Sequence, residues 1–106
     1  IIENMSYFTP EELTDNKYYI FGKDGAKHLA EDINTKFLGE IPLVQSIREA
    51  GDVGHPVALQ ENTSLENAFA TLTKEMVSEL LKRNANLPPT EVVRITTMSG
   101  CSTVKK

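Results

Sequence analysis

The chain has 106 residues, a net charge of −4, 40% apolar residues and 25% charged residues, which is the composition of one ordinary globular domain. The acidic balance offers no basic face for nucleic acid, and no apolar run approaches the ~20 residues that cross a bilayer. We therefore expect neither nucleic acid nor a membrane as a partner. The single cysteine, Cys101, excludes an internal disulfide and favours a reducing, cytoplasmic compartment.

The first half of the chain has the pattern of a β-α-β unit. Residues 1–5 and 37–41 are short apolar runs that stop at polar or turn-forming residues, as buried parallel strands do. Residues 24–34 lie between them and carry apolar side chains at helical spacing. Residues 6–17 contain turn-forming residues and predict a loop, and residues 18–21 predict a short extended segment.

The second half of the chain predicts two more helices. An apolar face at 43–50 indicates a short helix, and a loop follows at 52–62. Thr63 and Glu66 form a capping-box pattern at the start of the longest periodic segment of the chain. Apolar residues spaced by three and four then predict an amphipathic helix over 64–84.

Residues 85–106 predict a C-terminal extension after the long helix. The β-branched run at 91–97 favours a last strand at the edge of a sheet, and residues 99–106 predict a flexible tail. The element order is therefore β-α-β-α-α-β. This order predicts a single α/β domain over 1–106, with a parallel sheet that is covered by helices.

Asn4 is the strongest candidate for a ligand contact. Its carboxamide offers a donor and an acceptor at one point, which suits the edge of an adenine ring. It lies at the carboxyl end of a predicted strand, where open α/β sheets bind their ligands. An Asn after a strand is also common as a turn or helix cap, and that alternative stays open.

Other polar residues give no comparable signal. Residues 22–25 read Gly-Lys-Asp-Gly, which favours a tight turn because a phosphate loop needs Ser or Thr after its Lys. His28 and His55 are far apart in sequence and lack the further ligands that a zinc site needs. We therefore predict no catalytic residue and no metal site. Cys101 alone cannot hold an iron–sulfur cluster, which takes about four ligands.

Five phrases of the sequence, taken in order, resemble the Mrp/ApbC family. Its members are deviant P-loop ATPases that are related to MinD and ParA and are implicated in carrying iron–sulfur clusters. The phrases occupy residues 2–6 (Ile-Glu-Asn-Met-Ser), 20–22, 29–31, 37–43 and 47–57. The resemblance extends over residues 1–80. Since the predicted long helix continues to residue 84, we assign the family-like part of the chain to 1–84.

The resemblance implies that this chain is the C-terminal part of a parallel-sheet P-loop NTPase. The Walker A loop would lie upstream, so the intact protein would bind ATP and Mg²⁺ and act as an ATPase, while residues 1–106 alone would be inactive. Asn4 would contact the adenine, and Ile41 and Pro42 would lie against the same base. The resemblance further implies a homodimer that delivers clusters to apo iron–sulfur proteins.

The sequence departs from the family at the cluster-binding motif. Many members carry Cys-x-x-Cys a few residues after the Asn-Met-Ser phrase, where it binds a cluster that bridges two subunits. The corresponding positions here hold Pro10 and Leu13, and neither side chain can ligate iron. A bound cluster would therefore need other residues, either upstream ones or Cys101.

Two other functions stay open from the sequence. The chain could fold independently as a self-association or partner-binding module that pairs through exposed strand edges. It could instead be part of a MinD- or ParA-like partitioning ATPase, in which a C-terminal amphipathic helix binds a membrane. The predicted helix at 64–84 lacks the basic excess that such a role requires.

Overall fold

The computed structural model describes residues 1–95 and has a mixed α/β architecture. Within these residues, two short strands form a parallel sheet that α1 and α3 contact, and α2 and a 3₁₀-helix complete the set of helical elements. The elements in chain order are β1 (Ile2–Asn4), α1 (Gly25–Asp32), β2 (Gly39–Ile41), α2 (Gln45–Asp52), the 3₁₀-helix (Val57–Leu59) and α3 (Ser64–Asn86).

The two strands pair in parallel, as the β-α-β pattern predicts. Ile2 lies opposite Gly39 and Asn4 lies opposite Ile41. Backbone hydrogen bonds continue past both ends of the ladder. Leu38 N–H donates to the Ile1 carbonyl at 2.8 Å before it, and Ser6 N–H donates to the Ile41 carbonyl at 3.0 Å after it. The sheet therefore brings the segment after β1 beside the segment after β2.

The long helix α3 begins at the predicted cap. The Thr63 hydroxyl accepts the backbone N–H of Glu66 at 3.0 Å, which satisfies one of the helix N–H groups that have no partner within the helix. The helix contacts β2 and the 3₁₀-helix. Leu72 of α3 lies over Gly39, where a Cβ would make an ordinary contact at 3.5 Å, and the φ of +150° at Gly39 favours glycine.

The core of the described residues is small. The buried apolar side chains are Ala30, Ile41, Ala50 and Val57, and no large side chain is fully buried within residues 1–95. The second half of α3 leaves its apolar side chains between 45% and 65% exposed; these are Met76, Val77, Leu80 and Leu81. Much of the apolar surface that the sequence pattern provides therefore has no partner among the described residues.

Between β2 and α3 the predicted boundaries shift in two places. The helix predicted at 43–50 forms at Gln45–Asp52, because Val44 is still extended as the residue before the helix. The loop predicted at 52–62 contains the 3₁₀-helix, which buries Val57 between α2 and α3. A segment that composition assigns to a loop is thus packed against two helices.

The strand predicted at 91–97 is not formed over residues 91–95. Val92, Val93 and Ile95 are between 86% and 91% exposed. β-branched residues favour a strand only where a partner strand and a packed face are present, and the described residues supply neither at this place. Residues 96–106, including Cys101 and the predicted tail, lie outside the described residues. No helix in the described part combines the length and apolarity needed to cross a membrane.

Candidate functional site

The structure brings the three predicted site residues together at the carboxyl ends of the two strands. Asn4 lies directly opposite Ile41 in the parallel register, and Pro42 follows Ile41. Asn4 is exposed and Pro42 is half-buried, while the Ile41 side chain is only 5% exposed. Asn4 and Pro42 are thus accessible to a ligand, whereas Ile41 anchors the end of β2 in the core.

The Asn4 side chain has one defined local bond. Its Oδ1 accepts the backbone N–H of Met5 at 3.0 Å, which identifies the oxygen end of the carboxamide. The Nδ2 group carries two N–H donors, and they make no hydrogen bond to the protein within residues 1–95. Asn4 therefore has two N–H donors available at the edge of the sheet.

Met5 adopts an unusual backbone conformation beside Asn4. Its φ is +53°, in the left-handed region that non-glycine residues rarely occupy. Such conformations persist where the surrounding structure holds them, and they concentrate at functional sites. The turn after β1 is therefore a constrained segment.

Ser6 joins the two strand ends, a role that the sequence did not reveal. It is 4% exposed, and both its backbone N–H and its hydroxyl donate to the Ile41 carbonyl, at 3.0 and 3.2 Å. One residue further along, Leu43 N–H donates to the Tyr7 carbonyl at 2.8 Å. Sequence contains no signal that separates this Ser from an exposed loop Ser, because its partner is 35 residues away.

The loop after this turn forms a hairpin without cysteine. Phe8 and Tyr18 form an antiparallel bridge with two backbone hydrogen bonds of 2.8 Å. At its tip Leu13 N–H donates to the Pro10 carbonyl at 3.1 Å, so the two positions that would hold the Cys-x-x-Cys pair form a turn. Among residues 1–95, no group of three or more His, Cys, Asp or Glu side chains could hold a metal ion. The loop as described does not fit an iron–sulfur cluster.

A groove separates this hairpin from the start of α2. It has a volume of about 470 Å³, and its walls include Phe8, Thr9, Leu43 and Glu49. Next to Phe8 in the chain, Tyr7 makes an aromatic contact with Tyr19, and their ring centroids are 6.4 Å apart. Leu43 directly follows Pro42, so the groove adjoins the strand-end site.

The Gly-Lys-Asp-Gly segment forms a turn, as the sequence favours. Asp24 has a φ of +58° and its side chain makes no capping bond to α1. The backbone N–H of Gly25 instead donates to the Glu3 carboxylate at 3.1 Å. The start of α1 is therefore occupied by a carboxylate of the protein, at the place where a phosphate loop would bind its phosphate.

Comparison with known proteins decides the family. The family model described as ParA, NUBPL iron-transfer P-loop NTPase, matches residues 1–81. The chain belongs to this family. Membership confirms the resemblance to Mrp/ApbC proteins that the Asn-Met-Ser and Gly-Glu-Ile-Pro phrases indicate, and it agrees with the mixed α/β architecture.

Three similar proteins have names that refer to iron–sulfur chemistry. An iron-sulfur cluster carrier protein of Synechocystis is 35% identical over 81 residues, 76% of this chain and 23% of the relative. The iron-sulfur cluster transfer protein NUBPL of Mus musculus is 40% identical over 81 residues, 76% of this chain and 25% of the relative. The iron-sulfur protein required for NADH dehydrogenase, mitochondrial, of Arabidopsis thaliana is 37% identical over 93 residues, 87% of this chain and 29% of the relative. The chain spans about a quarter of the length of these relatives.

Proposed function

We propose that this chain is the C-terminal part of an ATP-binding iron–sulfur cluster carrier, and that it supplies the adenine side of the nucleotide pocket. The observation that carries the proposal is the register that sets Asn4 opposite Ile41 and beside Pro42. Ligands of open α/β sheets bind at the carboxyl ends of strands, and the family is one of P-loop NTPases. The proposal extends to a homodimer in the cytoplasm that donates clusters to apo iron–sulfur proteins.

The adenine has a chemically suitable neighbour in Asn4. The unsubstituted ring nitrogens of adenine are acceptors, and the exposed Nδ2 group of Asn4 is a donor that the protein leaves available within the described residues. Pro42 offers an apolar ring face that can cover part of the base. ATP and Mg²⁺ also need groups for the phosphates, and in P-loop proteins these come from a Gly-rich loop with its Lys and Ser or Thr. We assign that loop to a part of the protein outside residues 1–106.

The cluster is cargo in this proposal, and its ligands are not assigned to the hairpin. Pro10 and Leu13 occupy the positions of the usual cysteines, and they lie in an exposed or half-exposed turn with no thiolate nearby in the described residues. Cluster binding therefore falls to Cys101 or to residues outside this chain.

The small core favours this proposal over an independently folding module. An autonomous domain must bury enough apolar surface to offset the conformational entropy of its chain. Only four apolar side chains are buried in residues 1–95, and the largest of them is Ile41. The exposed face of α3 is instead what a helix shows when it packs against further elements of a larger sheet.

Substitution of Asn4 tests the nucleotide role. In the full-length protein, Asn4→Ala is expected to weaken ATP binding about three- to tenfold, the effect of one lost hydrogen bond. Binding of inorganic tripolyphosphate, which has no base, should be unchanged. Isothermal titration calorimetry measures both affinities, and Asn67→Ala, an exposed Asn on α3, is the matched control. An unchanged ATP affinity for Asn4→Ala would remove Asn4 from the pocket.

A further inference from the structure

We propose that Ser6 is a positioning residue for the nucleotide base. Its N–H and hydroxyl fasten the turn that carries Asn4 to the end of β2, and they thereby set the gap between Asn4 and Pro42. The role of Ser6 rests on the proposed function, because it acts through the residues assigned to the adenine.

Burial separates Ser6 from every other polar residue of the described chain. It is the one buried polar or charged residue within residues 1–95, at 4% exposed. A buried hydroxyl must be hydrogen-bonded, since an unpaired one is costly away from water. The hydroxyl of Ser6 meets this need with the Ile41 carbonyl at 3.2 Å.

Both donors of Ser6 converge on the same carbonyl oxygen. The backbone N–H reaches Ile41 at 3.0 Å and the hydroxyl adds a second bond, so the two lone pairs of that oxygen are used. The Ile41 carbonyl is therefore not available to a ligand. The Ile41 carbonyl instead holds the turn after β1 against the end of β2.

The turn held in this way contains a strained residue. Met5, between Asn4 and Ser6, has a φ of +53°, and a left-handed conformation is unfavourable for a side chain with a Cβ. The turn is held on one side by the bond from Met5 N–H to Asn4 Oδ1 and on the other by the bonds of Ser6. Loss of the Ser6 hydroxyl removes one of these restraints, so the turn can relax and displace the Asn4 carboxamide.

Displacement of Asn4 has a predictable consequence for binding. A hydrogen bond weakens steeply when its distance or angle leaves the normal range. A small shift of Asn4 therefore reduces the contact with the base while leaving the phosphate contacts, which lie elsewhere, in place. A general loss of stability would not distinguish base from phosphate in this way.

The test compares ATP and inorganic tripolyphosphate binding in the full-length protein by titration calorimetry. Ser6→Ala is expected to weaken ATP binding about three- to tenfold, as for a lost hydrogen bond, with tripolyphosphate affinity unchanged. Ser6→Thr, which keeps the hydroxyl, should restore most of the ATP affinity. Ser78→Ala, at an exposed position of α3, is the control and should bind both ligands normally.

A double substitution tests whether Ser6 acts through Asn4. If it does, Asn4→Ala combined with Ser6→Ala should bind ATP no more weakly than Asn4→Ala alone, because coupled residues are not additive. Additive losses would overturn the positioning role. If Ser6→Ala does not fold, Ser6→Cys takes its place with the same expectations, since a thiol has similar size and is a weak donor.

The outcomes separate the two proposals. An unaltered ATP affinity in Asn4→Ala overturns the assignment of Asn4 to the adenine, and with it the role of Ser6. A weakened Asn4→Ala together with an unaltered Ser6→Ala overturns only the role of Ser6. Equal weakening of ATP and tripolyphosphate by Ser6→Ala also overturns it, since that result indicates a structural effect on the whole pocket.

Discussion

The first turn of α1 depends on a carboxylate from another element. Glu3 in β1 accepts the backbone N–H of Gly25 at 3.1 Å, while Asp24, the residue at the N-cap position, provides no side-chain bond. Glu3 thus performs the task of a helix cap from 22 residues away. It also places negative charge at the positive end of the helix dipole.

Two substitutions divide this contribution into its parts. Glu3→Ala removes the acceptor and the charge, and caps of this kind contribute about 1 kcal/mol, within a range of roughly 0.5–2 kcal/mol. Glu3→Gln keeps an oxygen acceptor and loses only the charge, which contributes about 0.3–1 kcal/mol at an exposed helix end. We therefore expect Glu3→Ala to destabilise α1 more than Glu3→Gln does, each relative to the wild-type protein.

Amide hydrogen exchange measures this effect locally in the full-length protein. A loss of about 1 kcal/mol should raise the exchange rate of the α1 amides about fivefold if they exchange by local opening. Glu31→Ala removes a charge from the last turn of the same helix, where no such increase is expected. Equal exchange in Glu3→Ala and wild type, or equal acceleration in Glu31→Ala, would refute the capping role.

Two further predictions concern α3, and hydrogen exchange of its amides tests both. Thr63→Ala should cost about 1 kcal/mol in the first turn, because the hydroxyl cap is lost; Thr63→Ser should restore it, and Thr71→Ala, at an exposed position of the same helix, should have no such effect. The hydrogen bond from Lys82 Nζ to the Glu79 carboxylate, at 2.6 Å, lowers the pKa of Glu79, with a smaller contribution from Lys36 at 3.9 Å. A lowered carboxyl pKa stabilises the fold only while the group is ionised, so Glu79→Gln should slightly reduce the exchange protection of the α3 amides at neutral pH. This difference from the wild type should vanish as the pH falls through the folded-state pKa of Glu79. A difference that persists in acid would contradict this assignment.

Local sequence signals predicted the elements whose causes are local. The Thr63 cap forms three residues from its partner, so the capping-box pattern was sufficient to predict the start of α3. The prediction of a turn at 22–25 was confirmed, and its cause is local as well. Gly22 and Asp24 both have a positive φ, which glycine and aspartate tolerate in turns. The end of α3 differs by two residues, at Asn86 instead of 84, which is the usual uncertainty of a helix end that frays.

Predictions that depended on a partner strand or a packed face were less accurate. The run at 91–97 has the residues of a strand, but over 91–95 it has no neighbouring strand within the described chain. The 3₁₀-helix at Val57–Leu59 was missed because it is ordered by contacts with α2 and α3. The hairpin between Phe8 and Tyr18 was predicted only as a loop followed by an extended segment.

The sequence by itself determined the family, the β-α-β order and the placement of Asn4, Ile41 and Pro42 at the ends of parallel strands, since these follow from motifs and from periodicity along the chain. Only the tertiary structure decided that Ser6 is buried against the Ile41 carbonyl and that Glu3 caps α1. Those contacts join residues 35 and 22 positions apart. The first exists because the strand register sets the turn after β1 beside the end of β2, and the second because α1 packs against β1, so that donor and acceptor come within hydrogen-bonding distance.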